Sequence, residues 1–307
     1  MNSSVPGPLA GERLDRIVAL VAEVTRAQAG AYVDDGLVRV NDRVELHRAR
    51  RLREGDVIEL SIPTAATAPP IAPDDTVPYT VVHVDAEVIV IDKPAGVVVH
   101  PGAGNSSATL VHGLIARFPD LLALISDPQT AERPGIVHRL DKGTSGLLVV
   151  GRSASAVANL QAQLADRSMH RSYLALAWGR FSARRGVVDA PIGRHPDDPT
   201  QMAIVANGRP ARTHYVVERS FERPEPTVLL RCDLESGRTH QIRVHLRSIG
   251  HSVVGDSRYG GARAALALDR PFLHAARLQF IHPGTGQPVT FEAPLPAELS
   301  TVLGMLE

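Results

Sequence analysis

The sequence predicts an α+β fold: a mostly antiparallel mixed sheet with flanking helices, preceded by a small N-terminal α/β unit. Three observations predict it. Strand-like runs dominate the second half without alternating regularly with helices, which argues against a doubly wound parallel sheet. A stretch of Pro, Ala, Thr and Asp lacking periodicity, 62–77, reads as a stiff linker and divides the 307 residues unevenly. The composition, 44% apolar and 21% charged, is that of an ordinary globular chain with room for one large and one small domain.

Taken in order, residues 1–10 read as a flexible tail. Leu14, Ile17, Val18 and Val21 recur at helical spacing within 13–24. Thr25 is placed to cap a second helix and Gly36 to end it. LVRV (37–40) and DVIEL (56–60) read as strands, so 11–61 forms a small domain. In 78–307, VVHVD and EVIVI are strands separated by a turn. A helix is expected from Ser107 or Thr109 to Phe118, and another over 154–166 with Ser153 as its cap. SYLALAW, MAIV, THYVVERSF and TVLLRCDL read as strands. FLHAARLQFIH and QPVTFEAP are joined by PGTG, a hairpin signal.

Composition excludes several classes. The single cysteine, Cys232, rules out an internal disulfide and a zinc site built on several thiolates. No apolar run approaches the roughly 18 residues of a membrane span. MNSSVPGPLA lacks the basic-then-apolar order of a secretory signal, so a cytoplasmic protein with no membrane partner is expected. Net charge is zero, yet 39–53 holds six arginines (Arg39, Arg43, Arg48, Arg50, Arg51, Arg53) against Asp42 and Glu45. That local excess is a candidate nucleic-acid contact. Arginines outnumber lysines 31 to 2, and the two lysines are Lys93 and Lys142.

Two segments carry most of the chemistry. HRLDKGTSGLLVV (138–150) sets Asp141 between His138, Arg139 and Lys142 on one side and a small-residue turn on the other, before an apolar strand. A carboxylate held there suits a nucleophile or base, and nearby cations favour its charged form. The same residues also fit a surface turn whose Asp caps local amides. GRTHQIRVHLRSIG (237–250) reads as a helix capped by Thr239 and ended by Gly250. Ile242, Leu246 and Ile249 form an apolar stripe, with His240, Arg243 and Arg247 on a neighbouring one. The bland alternative is a solvated basic face. His240 and His245 lie about 140° apart around a helix, so they do not share an ion, and no metal site is expected. PGAGN (101–105) lacks the ending of a nucleotide-binding loop, and no GxGxxG follows a strand; no cofactor is expected. In RSYLALAWG, Tyr173 and Trp178 face opposite sides of a strand, one for the core and one free to line a site.

Together these segments resemble the RluA/RluD family of RNA pseudouridine synthases. HRLDKGTSGLLVV resembles its catalytic motif, and GRTHQIRVHL followed by GHSVVGDSRYGG its late arginine motif. IDKPAGVVVHPGAGN resembles its early motif in the large-subunit ribosomal RNA type, and RSYLALAWG its tyrosine motif. The segment 11–61 is similar to the S4-like RNA-binding module of many members. The resemblance implies a pseudouridine synthase fold and isomerisation of uridine in large-subunit (23S) ribosomal RNA without a cofactor. It implies Asp141 as the essential aspartate and Arg243 as its basic partner. Tyr173 would stack on the target uracil, and Arg139 would enter the RNA helix where the base has left. Asp197 and Asp198 stand where some ribosomal-RNA members are basic, and NDR replaces a frequent Asn-Gly turn. A monomer is expected. Competing readings are a non-catalytic RNA-binding factor and a hydrolase using Asp141 with His138 or His240; the latter lacks a Ser or Cys nucleophile motif.

Overall fold

The computed structural model describes residues 2–22, 24, 26–61, 71–102, 105–126, 133–198 and 200–307. The chain divides into two compact units, Met1–Pro70 and Ile71–Glu307.

In the first unit, β1 (Asn2–Ser4) is followed by α1 (Leu14–Val21) and α2 (Arg26–Asp34), then β2 (Val38–Val40), β3 (Arg43–Val44) and β4 (Val57–Leu60). The apolar stripe of α1 buries Leu14, Ile17 and Val18 against Val38, Val40, Ile58 and Leu60 of the sheet. Thr25 lies outside the described residues, while Gly36 takes a left-handed φ of 70° just beyond α2, as expected of a helix stop. The expected tail over 1–10 is corrected. Asn2, Ser3 and Ser4 pair antiparallel with Glu59, Ile58 and Val57, and Val5 is buried in the core. Three polar residues carry no alternation to announce a strand; the open edge of β4 recruits them. Asn41 and Asp42 both have positive φ between β2 and β3, so NDR still forms the twisted two-residue hairpin that Asn-Gly would make.

The second unit begins before residue 78. Val77 is buried in its core and the Asp74 amide donates to the His112 carbonyl, so 71–77 packs as part of this unit rather than as linker; 62–70 lies outside the described residues. Its elements are β5 (Thr80–Val84), β6 (Val88–Lys93), α3 (Leu110–Arg117), β7 (Ser145–Gly151), α4 (Ala154–Ala165), β8 (His170–Trp178), β9 (Arg185–Asp189), β10 (Ile192–Arg194), β11 (Met202–Ile204), β12 (Arg212–Phe221), β13 (Thr227–Leu234), α5 (Gln241–Ser248), β14 (Leu273–Ile281), β15 (Pro288–Glu292) and α6 (Ala297–Gly304). The main sheet runs β5-β6-β7-β14-β8-β13-β12-β9, with β15 on the C-terminal half of β14. Only the β7–β14 pairing is parallel, so the mostly antiparallel α+β expectation holds. Ser153 caps α4 by accepting from the Ala156 amide. Thr239 does not cap α5: His240 takes that place with a left-handed φ of 56° and no side-chain cap. No helix among the described residues is long and apolar enough to cross a membrane.

Candidate active site

Asp141 sits on the turn that feeds β7, closed by a hydrogen bond from the Thr144 amide to the Asp141 carbonyl (3.0 Å). At Gly146 (φ 115°) an added Cβ would lie 2.3 Å from the Ala275 carbonyl oxygen, so only glycine lets β7 come alongside β14 there. This seats the turn at the centre of the sheet, where β14 alone separates β7 from β8, the strand that carries Tyr173. Tyr173 is buried on β8, and burial pushes its phenol up, so it is a neutral aromatic wall at physiological pH. Trp178 on the same strand is core, its Nε1 donating to the Gly261 carbonyl (2.8 Å).

Arg243 projects from α5 and reaches both acids of the site. Its Nε and Nη2 donate to the two oxygens of Asp256 (2.7 and 2.9 Å), while Nη1 approaches Asp141 at 3.4 Å. Side-chain exposure decides which bond is the anchor: 9% for Arg243, 1% for Asp256 and 16% for Asp141. Burial alone would lower the guanidinium pKa, but the Asp256 pair raises it above the ordinary arginine value. Arg243 also lies over the Tyr259 ring, 4.9 Å from its centroid, and Asp256 accepts from the Tyr259 amide. The late motif thus forms a clamp that fixes one cation against Asp141, and the turn does not simply cap itself.

Arg139, Asp141, Thr144 and Tyr173 line a depression of about 40 Å³, together with residues 237–242. Arg139 is exposed at its mouth. The Thr144 hydroxyl is buried without a hydrogen-bond partner. Through Arg139, Arg171, Gly237 and Arg238 the depression opens into a cleft of about 760 Å³, also lined by Arg133, Arg167, Arg209 and Arg212. Such a surface suits an anionic polymer.

The N-terminal arginines do not act as one set. Arg48 pairs with Asp34, Arg50 with Glu45, and Arg51 donates to the Gly11 carbonyl. The side chains of Arg39, Arg43 and Arg53 are exposed and have no such partner among the described residues.

Sequence reasoning missed Asp256, which stood inside GHSVVGDSRYGG with nothing local to mark it as a counter-ion. It marked Lys93 as one of two lysines, with placement near a site as one explanation, and gave it no role. Lys93 is fully buried at the end of β6, opposite Gly146, and donates to the carbonyls of Pro94 (2.7 Å) and Val97 (2.9 Å). Burial lowers its pKa to about 7, partly opposed by Asp141. A group whose folded pKa lies below its unfolded value is stabilised as pH rises between the two. Stability should therefore climb from about pH 7 towards 10, with a slope approaching about 1.4 kcal/mol per pH unit and a total on the order of 5 kcal/mol. Chemical denaturation of the wild type and Lys93→Met across that window checks this; equal slopes would show that Lys93 does not titrate there.

One group of metal-ligand type is present among the described residues: His83, Asp85 and His282, whose ligand atoms lie within 4.8 Å of one another. Both Nε2 atoms lie 2.8 Å from the same Asp85 oxygen. His282 Nδ1 accepts from the amides of Gly284 and Thr285, which puts the ring proton on Nε2, where it donates to Asp85. A ligating imidazole would need the opposite arrangement. The group is a hydrogen-bonded tie between β5 and the β14–β15 turn.

A carboxylate held by a buried guanidinium beside an arginine-lined cleft is an arrangement suited to an enzyme acting on an anionic polymer. The chain belongs to the RNA pseudouridylate synthase family, which matches residues 87–248, while an S4 domain matches 25–66. It is 46% identical to an uncharacterized RNA pseudouridine synthase of Chloroflexus aurantiacus, over 99% of this chain and 92% of that one. It is 42% identical to the ribosomal large subunit pseudouridine synthase D of Nitrosomonas europaea, over 98% and 86%. Among solved structures, human RNA pseudouridylate synthase domain containing 1 superposes with a TM-score of 0.58 at 27% identity, covering 76% of this chain and 90% of that one. The protein is a pseudouridine synthase, an isomerase acting on RNA.

Proposed function

We propose that the protein isomerises uridines of large-subunit ribosomal RNA and that Asp141 is the reacting carboxylate. The observation that carries this reading is the Arg243–Asp141 contact at 3.4 Å, in a depression that Tyr173 walls and that opens onto the arginine-lined cleft. The names of the Nitrosomonas and Xanthomonas campestris relatives, both ribosomal large subunit pseudouridine synthase D, support the choice of RNA.

Pseudouridine formation breaks the bond from N1 of uracil to the ribose carbon, turns the base and rejoins it through C5. N1 gains a proton and C5 gives one up, with no net change of oxidation state. The depression at Asp141 opens into the cleft, and exposed Arg139, which lines both, is placed to swing into the space the base leaves in the RNA. Extraction costs a few kcal/mol, offset by stacking on Tyr173. Asp141 then serves the cleavage step, held by a guanidinium whose other two donors are fixed on Asp256.

Mapping pseudouridine in ribosomal RNA from cells with and without the gene tests the substrate. Loss of sites confined to the large subunit is expected; an unchanged map there removes the assignment. The N-terminal domain adds affinity through Arg39, Arg43 and Arg53. Changing all three to Gln in the full chain should weaken RNA binding and flatten the dependence of log K on log salt by about two units, with little loss of stability. A binding titration with an unchanged salt slope would exclude these side chains from the interface.

A further inference from the structure

We propose that Arg171 and His138 form a phosphate-binding subsite, which receives a backbone phosphodiester of the RNA whose uridine occupies the Asp141 depression. The inference rests on the reading of RNA as substrate and extends it to two residues given no role above.

Arg171 lies on β8 two residues before Tyr173, so both side chains leave the same face of the strand. It is 7% exposed, and among the described residues its side chain has neither an ion pair nor a hydrogen bond; its buried Nε has no acceptor. A buried guanidinium without a counter-ion destabilises the fold, so packing alone does not account for it. The carboxylates lining the same cleft are already engaged: Asp189 by Arg212, and Glu235 by Arg167, Arg212 and His214.

His138 supplies a second, independent observation. Its Nε2 accepts from the Val149 amide (3.2 Å), and burial followed by repulsion from Arg171 lowers its pKa to about 3. The ring is neutral, and its single proton sits on Nδ1, which is buried with no acceptor. Two unsatisfied donors, one charged and one neutral, thus belong to one cleft. Satisfying both calls for an anionic acceptor with several oxygens, and a phosphodiester supplies it.

The location fits a nucleotide. Arg171 lines both the cleft and the Asp141 depression. Its Nη1 lies 2.9 Å from where a Cβ on Gly237 would stand, so the guanidinium occupies space that a glycine leaves open at the junction of the two cavities. A base beside Tyr173 would place a nearby phosphate at that junction.

The test uses the full-length protein, an in vitro transcript of large-subunit ribosomal RNA, and the variants Arg171→Met and Arg171→Lys. Binding is titrated over a range of salt, separately from isomerisation. Arg171→Met should bind about tenfold more weakly, with a salt slope smaller by about 0.7–0.9, one phosphate's worth, and with Tm unchanged or raised. Arg171→Lys should restore most of the slope. Unchanged affinity and slope in Arg171→Met would overturn the proposal, as would a fall in Tm with affinity intact, the mark of a structural guanidinium. Inorganic phosphate should raise the Tm of the wild type more than that of Arg171→Met; if it does so while the RNA salt slope is unchanged, the site binds free anions and the proposal fails. A wild type that binds the transcript but makes no pseudouridine sinks the reading of its function instead, and the slope comparison still decides the role of Arg171.

Discussion

Asp141→Asn is expected to abolish isomerisation, lowering the rate by at least about 10⁴, as loss of a covalent or general-base group does in other enzymes. Fold and RNA affinity should survive. The carboxylate is partly exposed and touches Arg243 only at 3.4 Å, while the bidentate pair that holds Arg243 lies on Asp256. Loss of the Asp141 contact therefore costs no more than about 1 kcal/mol. Release of the C5 hydrogen from labelled RNA in single-turnover reactions measures the chemistry, and thermal denaturation with RNA titration measures the rest. A variant keeping a tenth of the wild-type rate would remove Asp141 from the reaction.

Asp256→Ala carries the larger expected effect on stability. Arg243 and Asp256 are both buried, with side-chain exposures of 9% and 1%, so deleting the acid strands a desolvated cation. A loss of about 3–5 kcal/mol is expected. The variant also loses the side-chain acceptor of the Tyr259 amide, which keeps the Asp256 carbonyl. The ion pair, rather than the acid's other contacts, is identified by a double-mutant cycle: Arg243→Met combined with Asp256→Ala should recover part of the loss in urea denaturation. Asp256→Asn retains the shape but not the charge, and should lower kcat more than it raises KM, since Asp256 acts on Arg243 and touches no substrate. A cost below about 1 kcal/mol for Asp256→Ala would mean that Arg243 is held by something else.

Local signals in the sequence were reliable where the physics is local. TVLLRCDL is β13 residue for residue, because its apolar content and flanking turns suffice to mark a buried strand. Ser153 caps α4 because its hydroxyl needs only an amide three residues on. Asn2–Ser4 were misread because a polar edge strand exists only when β4 is beside it. His240 displaced Thr239 at the start of α5 by adopting a left-handed backbone, with its Nδ1 2.8 Å from the Tyr259 hydroxyl, a partner 19 residues away. The six N-terminal arginines looked equivalent in the sequence; Asp34, Glu45 and the Gly11 carbonyl, all distant or set by the fold, engage half of them.

The sequence by itself determined the α+β class and most of the element types, and marked Asp141 and Arg243 as candidates, because periodicity, caps and side-chain chemistry are carried by neighbours along the chain. Only the tertiary structure decided which charges meet. Asp141 lies about a hundred residues before the late motif that supplies Arg243 and Asp256, and β14, later still, enters the sheet between β7 and β8. Electrostatic pairing depends on distance through space and on exclusion of water, and neither quantity is written in residue order.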